Sequence, residues 1–376
     1  MKNISLYVHI PFCKQKCFYC DFKSYAGIEE LENDYIDALI LEIRNKCKGY
    51  LIKTLFIGGG TPSYLSENNL SKLLKELNKL SFLDDAEKTI ECNPGTLSDE
   101  KIKIIKENNM NRISMGLQTT KNNLLKNIGR IHTIEEFKAN YKRVRELGIE
   151  NINIDIMFGL PNQSLEDYKE TLEDIVKLNP EHISAYSLII EEGTYFYKLY
   201  EENKLNIPNE DDERRMYEIT KEILEDNNYK QYEISNYART GQECRHNLGY
   251  WDRVEYLGIG AGASSLLRNR RFSHIRNRKT YIEAIHEKQP IETEEELLSE
   301  ESQMEEFMYL GLRKVNGISK EKFERTFQKP ISEVYGTVIE HFQAEHLLEC
   351  KGDRIFLSRR GMDVSNYVLA EFLLGE

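Results

Sequence analysis

Three cysteines close to the N-terminus could hold a metal centre. Cys13, Cys17 and Cys20 are spaced Cys-x3-Cys-x2-Cys and directly follow a short apolar run. Structural zinc takes four ligands, commonly from two separated Cys-x-x-Cys pairs, and this sequence has no second pair. Three thiolates on one loop suit a [4Fe–4S] cluster with one iron open to a small ligand, because thiolates are the usual cluster ligands. A zinc site and three unligated thiols are the alternatives.

The other cysteines do not suggest disulfide bonds. The chain has seven cysteines in 376 residues, and four are scattered singly, at Cys47, Cys92, Cys244 and Cys350. A secreted disulfide framework would show an even number in a much shorter chain. We therefore expect free thiols in a reducing compartment.

Polar residues occur near the ends of several apolar runs. Glu91, Gln118 and Asp155 each interrupt such a run, and Gly58-Gly59-Gly60-Thr61-Pro62 follows another. The glycine run lacks the Gly-Lys-Ser/Thr ending of a phosphate loop. It could let the backbone approach a ligand closely, or it could be a plain strand-to-helix turn. Buried polar groups need partners, so these three side chains predict either a ligand site or an internal network.

Strand-like and helix-like segments alternate over the first half of the chain. The predicted strands are Ser5–Pro11, Thr54–Ile57, Thr89–Cys92, Arg112–Leu117, Asn151–Gly159 and His182–Ile190. The predicted helices are Glu32–Cys47, Glu67–Leu80, Ser98–Asn108, Ile134–Leu147 and Leu165–Leu178. This alternation predicts an α/β fold with a parallel sheet, and six strands suit a partial (β/α)6 barrel better than a closed eight-stranded one.

The pattern changes in the second half. Tyr256–Leu267 is rich in glycine, and from about residue 294 helices predominate, followed by a hairpin that turns at Gly352. Helices followed by a hairpin indicate a smaller, helix-rich, winged-helix-like module. We expect a barrel domain at 1–240, a connecting and ligand-binding segment at 241–293 and a C-terminal domain at 294–376.

Composition and charge exclude several classes of protein. Hydrophobic residues make up 40% and charged residues 30%, and no apolar run approaches the roughly 20 residues of a membrane span. The N-terminus lacks the features of a secretory signal, so we expect a cytoplasmic protein. The net charge of −12 argues against nucleic acid as a partner. One basic stretch, Arg268–Lys279, is either a solvated face or a place to collect carboxylates.

The cysteine motif after a first barrel strand resembles that of the radical S-adenosylmethionine superfamily. Six segments narrow this resemblance to the group that contains oxygen-independent coproporphyrinogen III oxidase and the HemW-type haem chaperones. They are YVHIPFCKQKCFYCDF, GGGTPS, ECNP, SMGLQT, NIDIMFGLP and EISNYA. The resemblance covers essentially the whole chain.

The resemblance implies cofactors and the residues that hold them. It assigns Cys13, Cys17 and Cys20 to a [4Fe–4S] cluster. It assigns to S-adenosylmethionine the residues Tyr7, Gly59, Thr61, Glu91, Gln118, Arg130 and Asp155. In this superfamily the reduced cluster cleaves the sulfonium, and the protein supplies position and shielding.

Two features separate the branches of this group. The oxidase pattern has a further cysteine two positions after the third, where this chain has Phe22. The oxidase also carries a sizeable arm before its cluster motif, and Cys13 leaves no room for one. Both features favour the chaperone branch.

A second motif points in the same direction. His246-Asn247-Leu248-Gly249-Tyr250-Trp251 matches the His-Asn-x-x-Tyr-Trp signature of HemW-type proteins, which implicates His246 in binding haem. Imidazole is a common haem ligand, and Trp251 could cover a porphyrin face. A histidine that caps a loop is the alternative, and Cys244 could serve as a thiolate ligand instead. Members of the group often carry a histidine after the Gly-x-Gly-x-Gly-Ala run, but this chain has Ser264.

The sequence therefore predicts a haem chaperone that carries a [4Fe–4S] cluster and S-adenosylmethionine. It would pass haem to haem-requiring acceptor proteins, among them respiratory enzymes at the inner face of the membrane. The alternative is an oxygen-independent coproporphyrinogen III oxidase, and nothing in the residues establishes catalytic turnover.

Overall fold

A computed structural model describes residues 1–375, and its first half alternates strands with helices. The strands are β1 (Lys2–Ile10), β2 (Tyr50–Gly59), β3 (Phe82–Cys92), β4 (Arg112–Gln118), β5 (Asn151–Phe158) and β6 (His182–Ser187). The helices between them are α1 (Glu32–Lys46), α2 (Glu67–Leu77), α3 (Asp99–Glu107), α4 (Asn122–Asn127), α5 (Ile134–Glu146) and α6 (Leu165–Leu178).

Local sequence explains where these helices begin. The side chains of Ser66, Ser98, Thr133 and Ser164 accept hydrogen bonds from the first turns of α2, α3, α5 and α6. In α5 and α6 an acidic residue three positions later bonds back to the cap, which completes a capping box. The apolar faces of α1, α2, α3, α5 and α6 pack against the strands in one large core, whereas Leu124 of α4 belongs to a smaller cluster.

Strands β1 to β6 are parallel and lie side by side in chain order. Their carboxyl ends therefore meet at one edge of the sheet. The sheet is not closed, which confirms the predicted α/β fold with a partial six-stranded barrel.

The chain between residues 195 and 297 extends both sides of this sheet. Its elements are α7 (Tyr195–Glu201), α8 (Glu210–Asp226), β7 (Lys230–Glu233), β8 (Asn236–Ala238), α9 (Arg245–Trp251), β9 (Tyr256–Ile259), β10 (Ser264–Leu267), β11 (Arg270–His274), α10 (Arg278–His286) and β12 (Glu292–Leu297). The full order is β12-β11-β10-β9-β1-β2-β3-β4-β5-β6-β8-β7. The glycine-rich run thus supplies β9 and β10. A Cβ at Gly258 would lie 2.1 Å from the Ser264 carbonyl oxygen, so this close approach needs glycine.

The C-terminal residues form a separate module with its own core. Its elements are α11 (Glu300–Gly311), β13 (Ile318–Ser319), α12 (Lys320–Phe327), α13 (Ile331–Ala344), β14 (Leu348–Lys351), β15 (Arg354–Leu357), α14 (Arg359–Asp363) and α15 (Ser365–Ala370). The hairpin β14–β15 turns at Gly352, and β13 joins it to give a three-stranded sheet. The helix-rich, winged-helix-like module is therefore confirmed, whereas the boundaries at 240 and 293 stay predictions.

Backbone hydrogen bonds attach the module to the barrel. The Ile234 amide donates to the Arg313 carbonyl over 3.1 Å, and the Val315 amide donates to the Tyr232 carbonyl over 3.0 Å. Arg253 and Glu306 add an ion pair of 2.7 Å between side chains that are 10% and 3% exposed. None of the helices within residues 1–375 is both long and apolar enough to cross a membrane.

Candidate functional site

The three predicted cluster cysteines lie on the loop after β1 and line one cavity of about 530 Å³ at the carboxyl edge of the sheet. We call this cavity the barrel pocket. The loop is held by backbone hydrogen bonds, among them one of 2.9 Å from the Cys13 amide to the Tyr25 carbonyl. Cys13 Sγ is 3.5 Å from Thr61 Oγ1, and Cys17 Sγ is 3.5 Å from Arg130 Nη1. The structure therefore brings these thiols together with Thr61 and Arg130.

The chemistry of these thiols fits a metal cluster. All three are free, and burial raises the pKa of the Cys13 and Cys20 thiols. A metal must therefore displace protons from them, as metal binding to thiols does. Among residues 1–375, no three His, Cys, Asp or Glu side chains are grouped tightly enough to hold a single ion. A four-iron cluster instead takes its cysteines on separate irons.

Consecutive glycines let β2 approach the cysteine loop. A Cβ at Gly60 would lie 2.7 Å from the Phe12 carbonyl oxygen and 3.0 Å from Cys13 Sγ. At Gly59, where φ is +111°, a Cβ would lie 2.4 Å from the His9 ring. The sequence suggested that these glycines admit a ligand, and the structure gives them a second role, which is to seat the loop that carries the thiols.

Two buried carboxyl groups face the barrel pocket from β3 and β5. Glu91 Oε2 accepts a 3.1 Å hydrogen bond from the Gly59 amide, and burial, followed by the nearby Asp155, raises the pKa of Glu91 to about 8. Asp155 accepts from Asn153 at 2.7 Å and from Ser114 at 3.2 Å. Burial also raises the pKa of Asp155. These two groups are partnered by the fold, yet both remain part of the cavity wall.

Gln118 and Arg130 complete the wall of the barrel pocket. Gln118 ends β4 in the left-handed backbone region, with φ of 76°, a conformation that costs a non-glycine residue about 1 kcal/mol or more. Its Oε1 accepts a 3.1 Å hydrogen bond from the Tyr186 hydroxyl. Arg130 Nη2 donates to Asn93 Oδ1 at 2.5 Å and also to the Gly116 carbonyl. The guanidinium is therefore fixed between the cysteine loop and the strand ends.

Tyr7 occupies a neighbouring cavity of about 370 Å³, which shares Gly59 and Glu91 with the barrel pocket. Its hydroxyl is 2.9 Å from Nδ1 of His9. All seven residues predicted for S-adenosylmethionine thus line one of two adjoining cavities.

The structure does not bring His246 into either cavity. His246 lies on α9, is 1% exposed, and stacks on Phe56. Its Nδ1 is 2.8 Å from Thr54 Oγ1 and its Nε2 is 2.9 Å from the Tyr250 hydroxyl. Burial lowers the pKa of His246 to about 3, so the ring is neutral. Both ring nitrogens therefore have partners inside the protein.

A glutamate on β3 holds the start of α9. Glu87 accepts hydrogen bonds of 2.9 Å from the amides of both Arg245 and His246. Cys244 also donates to Glu87, at 3.6 Å, and burial raises the pKa of this thiol to about 12. Cys244 is therefore a neutral, buried thiol.

Several residues of the barrel pocket were missed from the sequence. Asn93, Tyr186, Asn236 and Asn247 all line it. Asn93 and Asn236 lie within the ECNP and EISNYA segments, and Asn247 lies within the His246–Trp251 motif, so those segments carried a signal for them although no role was assigned to them. Tyr186 is an aromatic residue within a strand, and nothing local distinguishes it from a core residue.

Glutamates neutralise much of the basic stretch Arg268–Lys279. Arg270 pairs with Glu292 at 2.6 Å and Arg276 with Glu294 at 2.8 Å, both on β12. Arg271 pairs with Glu306 of the C-terminal module at 2.6 Å. This stretch therefore joins β11 to its neighbours, which explains its charge without a ligand.

Family models match both parts of the chain. The radical SAM superfamily model matches residues 7–175, and the HemN C-terminal domain model matches residues 298–364. The heme chaperone HemW of Bacillus subtilis is 40% identical over 375 residues, which cover 98% of this chain and 99% of that protein. The heme chaperone HemW of Lactococcus lactis is 40% identical over 100% of this chain and 98% of its own length. The chain belongs to the HemW family.

A solved structure supports the fold of this HemW-family chain. Coproporphyrinogen III oxidase (HemN) from Escherichia coli superposes with a TM-score of 0.87 over 99% of this chain and 90% of that chain. The two sequences are 22% identical, so the likeness concerns the fold. At the position that separates the two branches, Phe22 is 64% exposed and lines both cavities at the cluster loop.

Proposed function

We propose that this protein is a haem chaperone, which binds haem and transfers it to haem-requiring proteins. The observation that carries the proposal is the match, over almost the full length of both chains, to the Bacillus subtilis protein named heme chaperone HemW. The acceptors would be respiratory proteins at the membrane. The chaperone would act from the cytoplasm, peripherally at the inner face of that membrane.

Cys13, Cys17 and Cys20 would hold a [4Fe–4S] cluster in the barrel pocket. Two observations support this assignment. The three thiols are free and line one cavity, and Arg130 donates a hydrogen bond to Cys17 Sγ. When bound and reduced, such a cluster supplies an electron to the sulfonium of S-adenosylmethionine. Nothing in the proposal requires turnover of that chemistry.

The chain's own groups are arranged to bind and orient a charged ligand beside the thiols. Arg130 offers a cation, and Glu91 and Asp155 offer oxygen acceptors from two neighbouring strands. Tyr7, Gly59, Thr61 and Gln118 complete the proposed S-adenosylmethionine contacts. Because a guanidinium pairs bidentately with carboxylates, Arg130 suits the carboxylate of the methionine moiety.

His246 remains the proposed haem ligand. To bind iron through Nε2, its ring must release the Tyr250 hydroxyl, which lies 2.9 Å away in this structure. We expect His246→Ala to weaken haem binding and to leave the iron–sulfur spectrum intact. His286→Ala is the matched control, because His286 is exposed at the end of α10. Unchanged haem affinity in His246→Ala would remove this histidine from the haem site.

The decisive experiment compares haem transfer with oxidase activity. The protein is reconstituted anaerobically with iron and sulfide, titrated with haem by absorbance and passed through gel filtration. We expect haem to be retained and then to move to a haem-free cytochrome. Conversion of coproporphyrinogen III to protoporphyrinogen IX under anaerobic reduction would instead overturn the chaperone proposal in favour of the oxidase.

A further inference from the structure

A third cavity, of about 590 Å³, lies between α9 of the barrel and the C-terminal module. We call it the interdomain cleft. Trp251 and Leu248 of α9 line one side, and Phe307 and Ile318 of the module line the other. Its volume is in the range of small-molecule sites, which occur preferentially where domains meet.

The charge of the interdomain cleft is opposite to that of the whole chain. Five cationic side chains line it, and the carboxylates in its lining are Asp252 and Glu243. The chain as a whole has a net charge of −12. A local excess of positive charge on an acidic protein attracts an anionic ligand.

Two of these cations are free to bind such a ligand. Lys314 and Lys322 both pair with Asp252. Arg325 of α12 and Arg354 of β15 are exposed, and within residues 1–375 neither side chain makes a hydrogen bond or an ion pair. This distinguishes them from Arg270, Arg271 and Arg276, whose guanidinium groups are already occupied by glutamates.

Buried donors in the same cleft also lack acceptors. The Arg253 side chain is only 10% exposed and pairs with Glu306 through Nε, yet its Nη2 has no hydrogen-bond partner in the described chain. The indole Nε1 of Trp251 is likewise buried without a partner there. A buried donor without an acceptor is costly, so each one needs an explanation, and an acceptor ligand supplies it.

The aromatic side chains restrict the shape of the ligand. Trp251 and Phe307 offer flat apolar surface, and Arg313 stacks on the Trp251 ring at 4.6 Å. Guanidinium groups pair with carboxylates in a two-pronged geometry. Aromatic surface beside free arginines therefore suits a flat, apolar molecule that carries carboxylates.

We propose that the interdomain cleft binds a flat aromatic dicarboxylate, with Arg325 and Arg354 on its carboxylates and Trp251 against its apolar part. Resting on the proposed function, this ligand is haem and the carboxylates are its two propionates. The inference assigns the propionate end to the C-terminal module, and it leaves the cluster thiols outside the haem site. His246 lies on α9 beside Leu248 but does not line the cleft, so its Nε2 would reach the iron of this haem only after the ring releases Tyr250 and turns towards the cleft.

A thermodynamic cycle between protein and ligand tests this assignment. The intact protein and its Arg325→Ala/Arg354→Ala variant are each titrated with haem and with haem dimethyl ester, which lacks free carboxylates. We expect the double variant to bind haem about tenfold more weakly, which is about 1.4 kcal/mol, and to bind the ester as the unchanged protein does. The matched control, Lys351→Ala/Arg360→Ala, removes two exposed cations of the module that do not line the cleft and should bind haem normally.

The outcomes separate the two proposals. If the unchanged protein binds haem and its ester equally well, or the double variant weakens both alike, the cleft assignment is overturned and the chaperone proposal stands. If the unchanged protein retains no haem, the proposed function fails and the cleft assignment fails with it. Selective loss of haem over ester in the double variant supports the cleft.

Discussion

The barrel pocket and the interdomain cleft are both lined in part by α9, but they differ in whether their charged side chains have partners within the protein. In the barrel pocket, Glu91, Asp155 and Arg130 already bond to neighbouring strands and loops. In the cleft, Arg325 and Arg354 have no such partners within residues 1–375. The charged groups of the barrel pocket are thus held in place by the sheet without a ligand. The interdomain cleft instead has two unpaired arginines, where the barrel meets the C-terminal module.

The two sites also depend on different parts of the structure in order to form. The barrel pocket depends on strands of one sheet, whose order fixes the relative positions of their ends. The cleft depends on the attachment of the C-terminal module through Tyr232, Ile234 and the Arg253–Glu306 pair. We therefore expect changes that affect one site to leave the other largely unaffected.

The largest expected effect is the loss of the cluster. Cys17→Ala removes one of the three proposed thiol ligands, so we expect the iron–sulfur absorbance of the reconstituted protein to disappear. Haem binding at the cleft should persist, because no residue of the cysteine loop is among those that line the cleft. Cys350→Ala is the control, since Cys350 is an exposed free thiol on β14 of the module. A complete cluster in Cys17→Ala would refute the ligand assignment.

Acid should destabilise the barrel more than the C-terminal module. Five of the eight histidines are buried in the barrel, and burial lowers the pKa of His9 and His274 to about 4 and that of His132 and His246 to about 3. The fifth, His182, also has its pKa lowered by burial. Below about pH 6.5 the unfolded chain binds protons that the folded barrel does not, so the free energy of unfolding falls as the pH decreases.

The carboxyl groups of Glu91 and Asp155, whose pKa values are raised by burial, act in the opposite direction and offset part of this loss. Because the five histidines outnumber them, we still expect the free energy of unfolding of the barrel to fall by several kcal/mol between about pH 6.5 and pH 4. Hydrogen exchange read by mass spectrometry at each pH would follow the two cores separately. The module's own histidines, His341 and His346, are exposed, so its protection should fall less steeply. Equal acid sensitivity in both cores would contradict this division.

Substitution of one glycine should destabilise the C-terminal module and leave the barrel unchanged. Gly317 has φ of +55°, and a Cβ there would lie 1.9 Å from the Ile355 carbonyl oxygen. We expect Gly317→Ala to lower the stability of the module by about 2 kcal/mol or more and to weaken haem binding, with the cluster spectrum unchanged. Thermal unfolding and the haem titration measure both effects.

The control for this substitution lies on a helix of the same module. Gly336 on α13 has open space, with the nearest atom, Ser332 Cβ, at 4.0 Å. Gly336→Ala should therefore stabilise the module by about 0.5 kcal/mol or more, because alanine is the better helix former. If both variants behaved alike, the close contact at Gly317 would not be the cause.

The smallest effect is expected in the basic stretch. Arg270 and Arg276 pair with glutamates on the partly exposed surface of β11 and β12, and such pairs contribute about 1 kcal/mol or less. We expect Arg270→Ala/Arg276→Ala to change haem affinity by less than about twofold. If haem affinity fell as much as in the cleft double variant, the propionates would have to be assigned to this stretch instead of to the cleft.

Much of the fold was predictable, because β1 to β6 and the helices between them repeat a simple alternation. The predicted Leu165–Leu178 matches α6, and the predicted Ile134–Leu147 matches α5 to within one residue. Strands β9 to β12 were not predicted, because glycines interrupt one and glutamates fill another. Their places depend on pairing with distant β1 and with one another, which leaves no local periodic pattern.

The two sites were predictable to different degrees. Polar residues at strand ends indicated the barrel pocket, since a parallel sheet brings those ends together. The cleft gave no such signal, because Trp251, Arg325 and Arg354 are far apart in sequence and meet only when the module docks. For His246 the motif indicated a ligand, and its partners Thr54 and Tyr250 became visible only in the structure.

The position of β1 has a consequence for the order in which the protein can mature during its synthesis. β1 is an interior strand, paired with β2 on one side and with β9 on the other, and Ser5 is opposite Tyr256. A ribosome must therefore add some 250 residues after β1 before its second neighbour exists. Until then the loop with the three cysteines extends from the open edge of an unfinished sheet. We therefore expect the proposed cluster to be inserted late, after β9 in the last third of the chain has been synthesised.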